Sequence, residues 1–172
     1  MDERGTEGFF DAILFLLIIT VAFCLVLTSY LALVRTEEVA TRDSAVLYAR
    51  RSLASLLMSS IPDAFYVDPD GGRVPLENGT NIEQFLLEET YLVHHGMPVS
   101  AFSDCNLAVE ETARSLVTGA YDFAVRAEVR TDGGLEDVLS FGVARSAAGY
   151  SAASDYIIYD ETVRIELVLW WS

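Results

Sequence analysis

The chain has two histidines, and they are adjacent, at His94 and His95. Neighbours on a helix point about 100° apart, so this spacing does not aim both imidazoles at one metal ion as an i, i+4 pair would. A loop or a helix end is the role it predicts. Asp68, Asp70 and Gly71 match the opening of a calcium-binding loop. Such a loop needs another oxygen ligand two places on and a bidentate Glu at its twelfth position, where this chain has Gly72 and Gly79. Asp68-Pro69-Asp70-Gly71-Gly72 therefore reads as a turn. No Ser, His and Asp constellation can be built around the two histidines, and no glycine-rich phosphate loop is present. Every basic residue is Arg, which removes lysine chemistry such as Schiff-base formation. The expectation is a protein that is not an enzyme and holds no metal or cofactor.

The two cysteines, Cys24 and Cys105, read as small buried apolar side chains. Cys24 falls inside a long apolar run, so the pair is not expected to form a disulfide; an intermolecular bond through Cys105 is the alternative. The formal net charge is −15, of which −12 falls in residues 35–172. A domain of that charge is repelled by nucleic acid and by anionic head groups, so nucleic acid is not an expected partner.

The elements that carry these residues begin with the apolar run itself. Residues 12–34, from Ala12 to Val34, contain no charge, and 15 of the 23 are Leu, Ile, Val or Phe. As a helix they span roughly 35 Å, enough to cross a hydrocarbon core of about 30 Å. On an insertion scale those residues favour the bilayer by at most roughly 5 to 9 kcal/mol. The run is apolar on all sides, as expected of a helix in lipid, and the bilayer is its expected partner. Residues 1–11 form a short N-terminal flank, and residues 35–172 have the size of one acidic domain.

Arg35 to Ser60 lacks Pro and Gly and places Val39, Val46, Ala49, Leu53, Leu56, Leu57 and Ser60 roughly on one face. One long helix is predicted, its first half in lipid and its second half on the domain, ended by Pro62. Asn81 is positioned to cap a helix from Ile82 to about Val93, and a third helix is expected over Asn106 to Val117. The period then changes to two. Tyr121, Phe123, Val125, Ala127 and Val129 alternate with polar residues, and Asp132-Gly133-Gly134 turns the chain into a strand with Leu139, Phe141 and Val143 inward. A small-residue loop is expected around Ala147 to Ser154. A last strand follows, with Val163, Ile165, Leu167, Leu169 and Trp171 inward and Trp170 outward, where it could contact a neighbouring subunit or the membrane interface. The fold class predicted is α+β: a long N-terminal helix packed on a mainly antiparallel C-terminal sheet.

Two short segments speak to cell biology. Asn78-Gly79-Thr80 is an acceptor pattern for N-linked glycans in a turn-rich stretch. The other is Arg4-Gly5-Thr6-Glu7-Gly8-Phe9, which runs directly into the apolar helix. A short charged leader ending in Arg4-Gly5 before an unbroken apolar helix resembles the class III signal segment of archaeal type IV pilin-like proteins, including archaellins. The resemblance covers residues 4–34 and extends more loosely to the plan of a long helix followed by a sheet. It implies cleavage after Gly5 by a pilin-type signal peptidase, leaving Thr6 first, with the apolar helix retained. Gly8 matches the glycine often found three places into the mature chain. Phe10 stands where bacterial relatives carry a glutamate, and Asp11 is the nearest carboxylate. Asp11 reads as a polar residue at the lipid interface or as a partner for the N-terminal amine of a neighbouring subunit. The acidic Asp2, Glu3 and Glu7 depart from a leader that usually relies on positive charge.

The resemblance implies a non-enzymatic, membrane-anchored subunit or minor component of an extracellular filament or its assembly machinery, with copies of itself or other pilin-like subunits as partners. Arg35, Arg42, Arg50 and Arg51 lean toward a cytoplasmic domain by the positive-inside rule. The glycan acceptor and the leader pattern lean the other way, and an extracellular domain on a single-pass anchor is the expectation. A solitary anchored binding or accessory domain that does not polymerise, facing the cytoplasm or not, is the alternative.

Overall fold

The structure is a computed structural model. It describes the backbone of residues 3–61, 65–68, 70–76, 79–119, 121–143 and 149–171, and the side chains of these apart from 3–12 and 35–38. The fold is α+β, and the chain divides into two compact units, Met1–Asp43 and Ser44–Ser172. Helix α1 (Glu3–Met58) runs through both.

Within the first unit α1 is long and apolar enough to cross a membrane, with a window of mean hydropathy 2.6 and no buried residue in that window. Two of its hydroxyls turn back on the helix. Thr20 donates to the Leu16 carbonyl at 2.8 Å and Thr28 to the Cys24 carbonyl at 2.9 Å, so neither needs water.

The second unit is built from the rest of α1, a hairpin of β1 (Phe65–Val67) and β2 (Arg73–Pro75), helices α2 (Ile82–His94) and α3 (Ser103–Leu116), and four strands. These are β3 (Tyr121–Thr131), β4 (Gly134–Gly142), β5 (Tyr150–Ile158) and β6 (Glu161–Trp171), antiparallel in the order β4-β3-β6-β5. The core is where α1, α2 and α3 meet one face of this sheet. Ala49, Leu53, Leu56 and Leu57 of α1 pack in one cluster with Val125, Ala127, Ile165 and Leu167. Cross-strand registers Val125 to Leu167 and Ala127 to Ile165 set these side chains on the same face.

The inward face of α1 differs from the predicted stripe at its ends. Val39 is 58% exposed and Ser60 is exposed, while Ala45 and Ser52 are buried. The packed face begins only where the helix enters the second unit. Backbone bonds from Ile61 N–H to the Thr80 carbonyl and from Ile82 N–H to the Ser59 carbonyl then seat the start of α2 beside the end of α1. Pro62 lies outside the described residues. Asn81 caps α2 as expected, its Oδ1 accepting the Gln84 N–H at 2.7 Å. Helix α3 begins three residues earlier than predicted, after a 3-10 turn at Val99–Phe102.

Three strands were not expected. Strands β1 and β2 flank the predicted turn, and Asp68 serves that turn: its carboxylate accepts the Gly72 N–H at 2.6 Å, with Gly71 at φ +85°. Strand β5 occupies most of the predicted small-residue loop. Its inward positions run Tyr150, Ala152, Ser154, Tyr156 and Ile158; Ala152 is too small and Ser154 too polar to give an apolar alternation, and pairing to β6 specifies the strand instead.

The inward alternation of β6 holds from Val163 to Leu169 and fails at the last two residues. Trp171 is 52% exposed and Trp170 only 5%. Trp170 is on the opposite face, as its parity requires, but that face is covered at this end. It packs with Ala124 and Val168 against the backbone at Gly149. Trp171 lies past the edge of the core and stacks on Tyr121, with ring centroids 4.7 Å apart. Val143, expected inward, is 43% exposed because Gly142, at φ +88°, turns the chain away at the end of β4.

Candidate functional site

Of the residues singled out by the leader pattern, Arg4, Gly5, Thr6 and Asp11 all fall in α1, whose backbone is helical from Glu3. Their side chains, and Asn78 altogether, lie outside the described residues.

The histidines sit at the C-terminal end of α2, facing the tight β5–β6 turn. Ile158 pairs with Glu161, so Tyr159 and Asp160 form a two-residue loop, both left-handed at φ +46° and +71°. That turn delivers Glu161 to the imidazoles. Its Oε1 is 3.9 Å from His94 Nε2 and 3.7 Å from His95 Nε2. His95 Nδ1 lies 2.9 Å from the Tyr91 carbonyl, which favours the tautomer carrying its proton on Nδ1. The Tyr91 ring contacts both His95, at 4.2 Å between centroids, and Tyr159, at 4.8 Å. Beside them Glu88, Tyr91, Leu92 and Tyr159 line an open cleft of about 320 Å³.

The sequence spacing denies the two imidazoles a shared metal, but it gives no hint that one carboxylate lies near both, because strand β5, whose pairing with β6 brings Glu161 there, is not expected from the sequence. Among the described residues no group of three or more His, Cys, Asp or Glu side chains is arranged to hold a metal ion. The chemistry available here is ion pairing when an imidazole is protonated.

A second polar cluster lies inside the core, and sequence reasoning missed it. Glu89 and Thr90 share the buried face of α2 with Ile82, Phe85 and Leu86. Glu89 falls four places after Phe85 and seven after Ile82, so its position in the apolar stripe was the available signal. Asn106 of α3 donates from Nδ2 to Glu89 Oε1 at 2.8 Å. Burial pushes the Glu89 carboxyl up to about 8, against a smaller pull downward from the Asn106 hydrogen bond. Cys105, beside Asn106, is fully buried and its Sγ lies 3.2 Å from the Phe65 carbonyl. Burial first, and then the charges of Glu89 and Asp104, push that thiol up to about 11. A buried thiol so disfavoured as thiolate is inert, which agrees with the packing role read from the sequence.

On the solvent face of the sheet, register sets Arg126 opposite Glu166 and Glu128 opposite Arg164, two crossed pairs of opposite charge. The neighbouring register sets Glu128 beside Asp137. Partial burial, then the charges of Asp137 and Glu166, raise the Glu128 carboxyl above its ordinary value, against a downward pull from Arg164.

The chain matches no protein-family model, and no curated protein or solved structure matches it significantly.

Proposed function

We propose that the chain is a non-enzymatic, membrane-anchored pilin-like protein, a subunit or minor component of an extracellular filament or of its assembly machinery. The observation that carries this reading is the continuity of α1: one helix, Glu3–Met58, contains the apolar stretch and also supplies Ala49, Leu53, Leu56 and Leu57 to the domain core. An anchor that is also a core element cannot be discarded as an ordinary secretory signal is, and cleavage after Gly5 leaves it intact. The signal peptidase of the pilin type is the processing partner. The bilayer holds the subunit before assembly, and copies of the chain or other pilin-like subunits hold it afterwards. Assembly then proceeds by packing, with the apolar flanks of neighbouring helices burying one another once lipid is exchanged for a protein and water environment. The domain faces the cell exterior on a single-pass anchor, which the acceptor at Asn78 supports.

Mass spectrometry of the protein isolated from its own host tests the reading. A chain beginning at Thr6 is expected. An intact Met1 or Asp2 terminus in every copy overturns it.

A further inference from the structure

Helices α2 and α3 meet inside the core through Glu89 and Asn106, which are 1% and 9% exposed. One hydrogen bond joins them, from Asn106 Nδ2 to Glu89 Oε1. The other two polar atoms of the same side chains, Glu89 Oε2 and Asn106 Oδ1, are both buried and have no hydrogen-bond partner. If Glu89 is ionised, both are acceptors and neither can serve the other. A single proton on Oε2 changes the count, because a neutral carboxyl has one O–H donor and the amide oxygen is an unfilled acceptor. Acid and amide then exchange two hydrogen bonds in place of one.

We propose that Glu89 and Asn106 form a proton-dependent latch between α2 and α3, closed when Glu89 Oε2 carries a proton donated to Asn106 Oδ1 and opened when that proton is lost.

The surroundings leave the proton as the remaining source of relief. From α1 the buried residues near this core are Ala45, Ala49, Ser52, Leu53, Leu56 and Leu57, none of them charged. From the sheet, the inward ionisable side chains packed on the core are Tyr121 and Tyr156; Tyr156 donates to Glu83 Oε2 at 3.2 Å and its own pKa is raised, chiefly by burial. From α3 the facing titratable group is the Cys105 thiol, which stays neutral well past the range where Glu89 ionises. The hairpin contributes the Phe65 carbonyl, already engaged with Cys105 Sγ. No cation among the described residues forms an ion pair with Glu89. Loss of the proton therefore puts an uncompensated carboxylate against an amide oxygen, and separating the helices to admit water is the available response.

The test uses the full chain in detergent micelles, with glutamate carboxyl carbons labelled with ¹³C and followed by NMR through a pH titration. Glu89→Gln assigns the Glu89 signal by its disappearance. That variant should fold, because its amide presents one acceptor and an N–H donor in the positions of the protonated acid. The expected result is a Glu89 midpoint near 8, with the Asn106 side-chain amide signals moving at the same midpoint. Across that midpoint the α2 and α3 backbone amides should lose more than about tenfold of their hydrogen-exchange protection relative to Glu89→Gln at the same pH. A Glu89 midpoint in the ordinary carboxylate range overturns the proposal. So does a raised midpoint to which Asn106 does not respond, or equal protection in the two proteins at every pH.

Discussion

The Tyr48 hydroxyl accepts the Thr118 N–H at 2.9 Å and donates to the Leu116 carbonyl at 3.1 Å, closing the end of α3 onto α1 across about 70 residues of chain. A single hydroxyl thus caps a helix end whose last carbonyls lack intrahelical partners. Tyr48→Phe keeps the ring against Tyr121, 5.6 Å away between centroids, and removes only these bonds. The expected cost is about 1 kcal/mol in denaturant unfolding. A loss of less than about 0.3 kcal/mol would mean that water replaces both partners without penalty.

The two tryptophans at the end of β6 should separate cleanly. Trp170→Ala removes a ring that is 5% exposed and should destabilise by roughly 3 to 5 kcal/mol, whereas Trp171→Ala, at 52% exposure, should cost about 1 kcal/mol or less. Equilibrium unfolding of both variants decides the matter, and the reverse order would place the cover on the wrong face of the sheet.

The stability of the full chain should depend on pH through Glu89. Its carboxyl is raised from 4.5 to about 8 by burial, so the folded state binds the extra proton between those values. The stability it protects is fully present below the unfolded value of 4.5 and is lost as pH rises through about 8. The slope from this one group approaches roughly 1.4 kcal/mol per pH unit at most. Glu128, raised in the same direction, adds a decline of the same sign. Denaturant titrations at a series of pH values should show the decline in the wild type and a clearly shallower one in Glu89→Gln. Parallel profiles would refute the assignment to Glu89.

What the sequence reveals of this fold depends on how locally each element is specified. The start of α2 is legible because Asn81 caps it, and its helical period is set by Ile82, Phe85 and Leu86 even though Glu89 and Thr90 continue the buried face. The inner face of β6 from Val163 to Leu169 is legible because large aliphatic residues alternate with Thr162, Arg164 and Glu166. Strand β5 is not, since an edge strand with Ala152 and Ser154 inward derives its identity from the partner strand and from the turn at Tyr159 and Asp160. The same gap hides the approach of Glu161 to His94 and His95, which depends on that hairpin. The contact between Glu89 and Asn106 joins two helices across 17 positions, and no short pattern encodes such a meeting. The burial of Trp170 is likewise non-local, because Gly149 and the end of β6 come together only in the finished sheet.

Gly149 carries a consequence for how the chain can vary. A Cβ placed there would lie 2.6 Å from Val168 Cγ1, 2.7 Å from the Leu169 carbonyl oxygen and 2.9 Å from Trp170 Nε1, so even alanine would push against backbone as well as side chains. At the far end of the same connection, a Cβ on Gly142 would collide with the Phe123 carbonyl oxygen. Gly142 and Gly149 thus each sit where a side chain has no room. Mutational tolerance in this part of the molecule should drop sharply at these two positions, and substitutions that spare the aromatic ring of Trp170 can still unseat it from a neighbour that has nothing to give way.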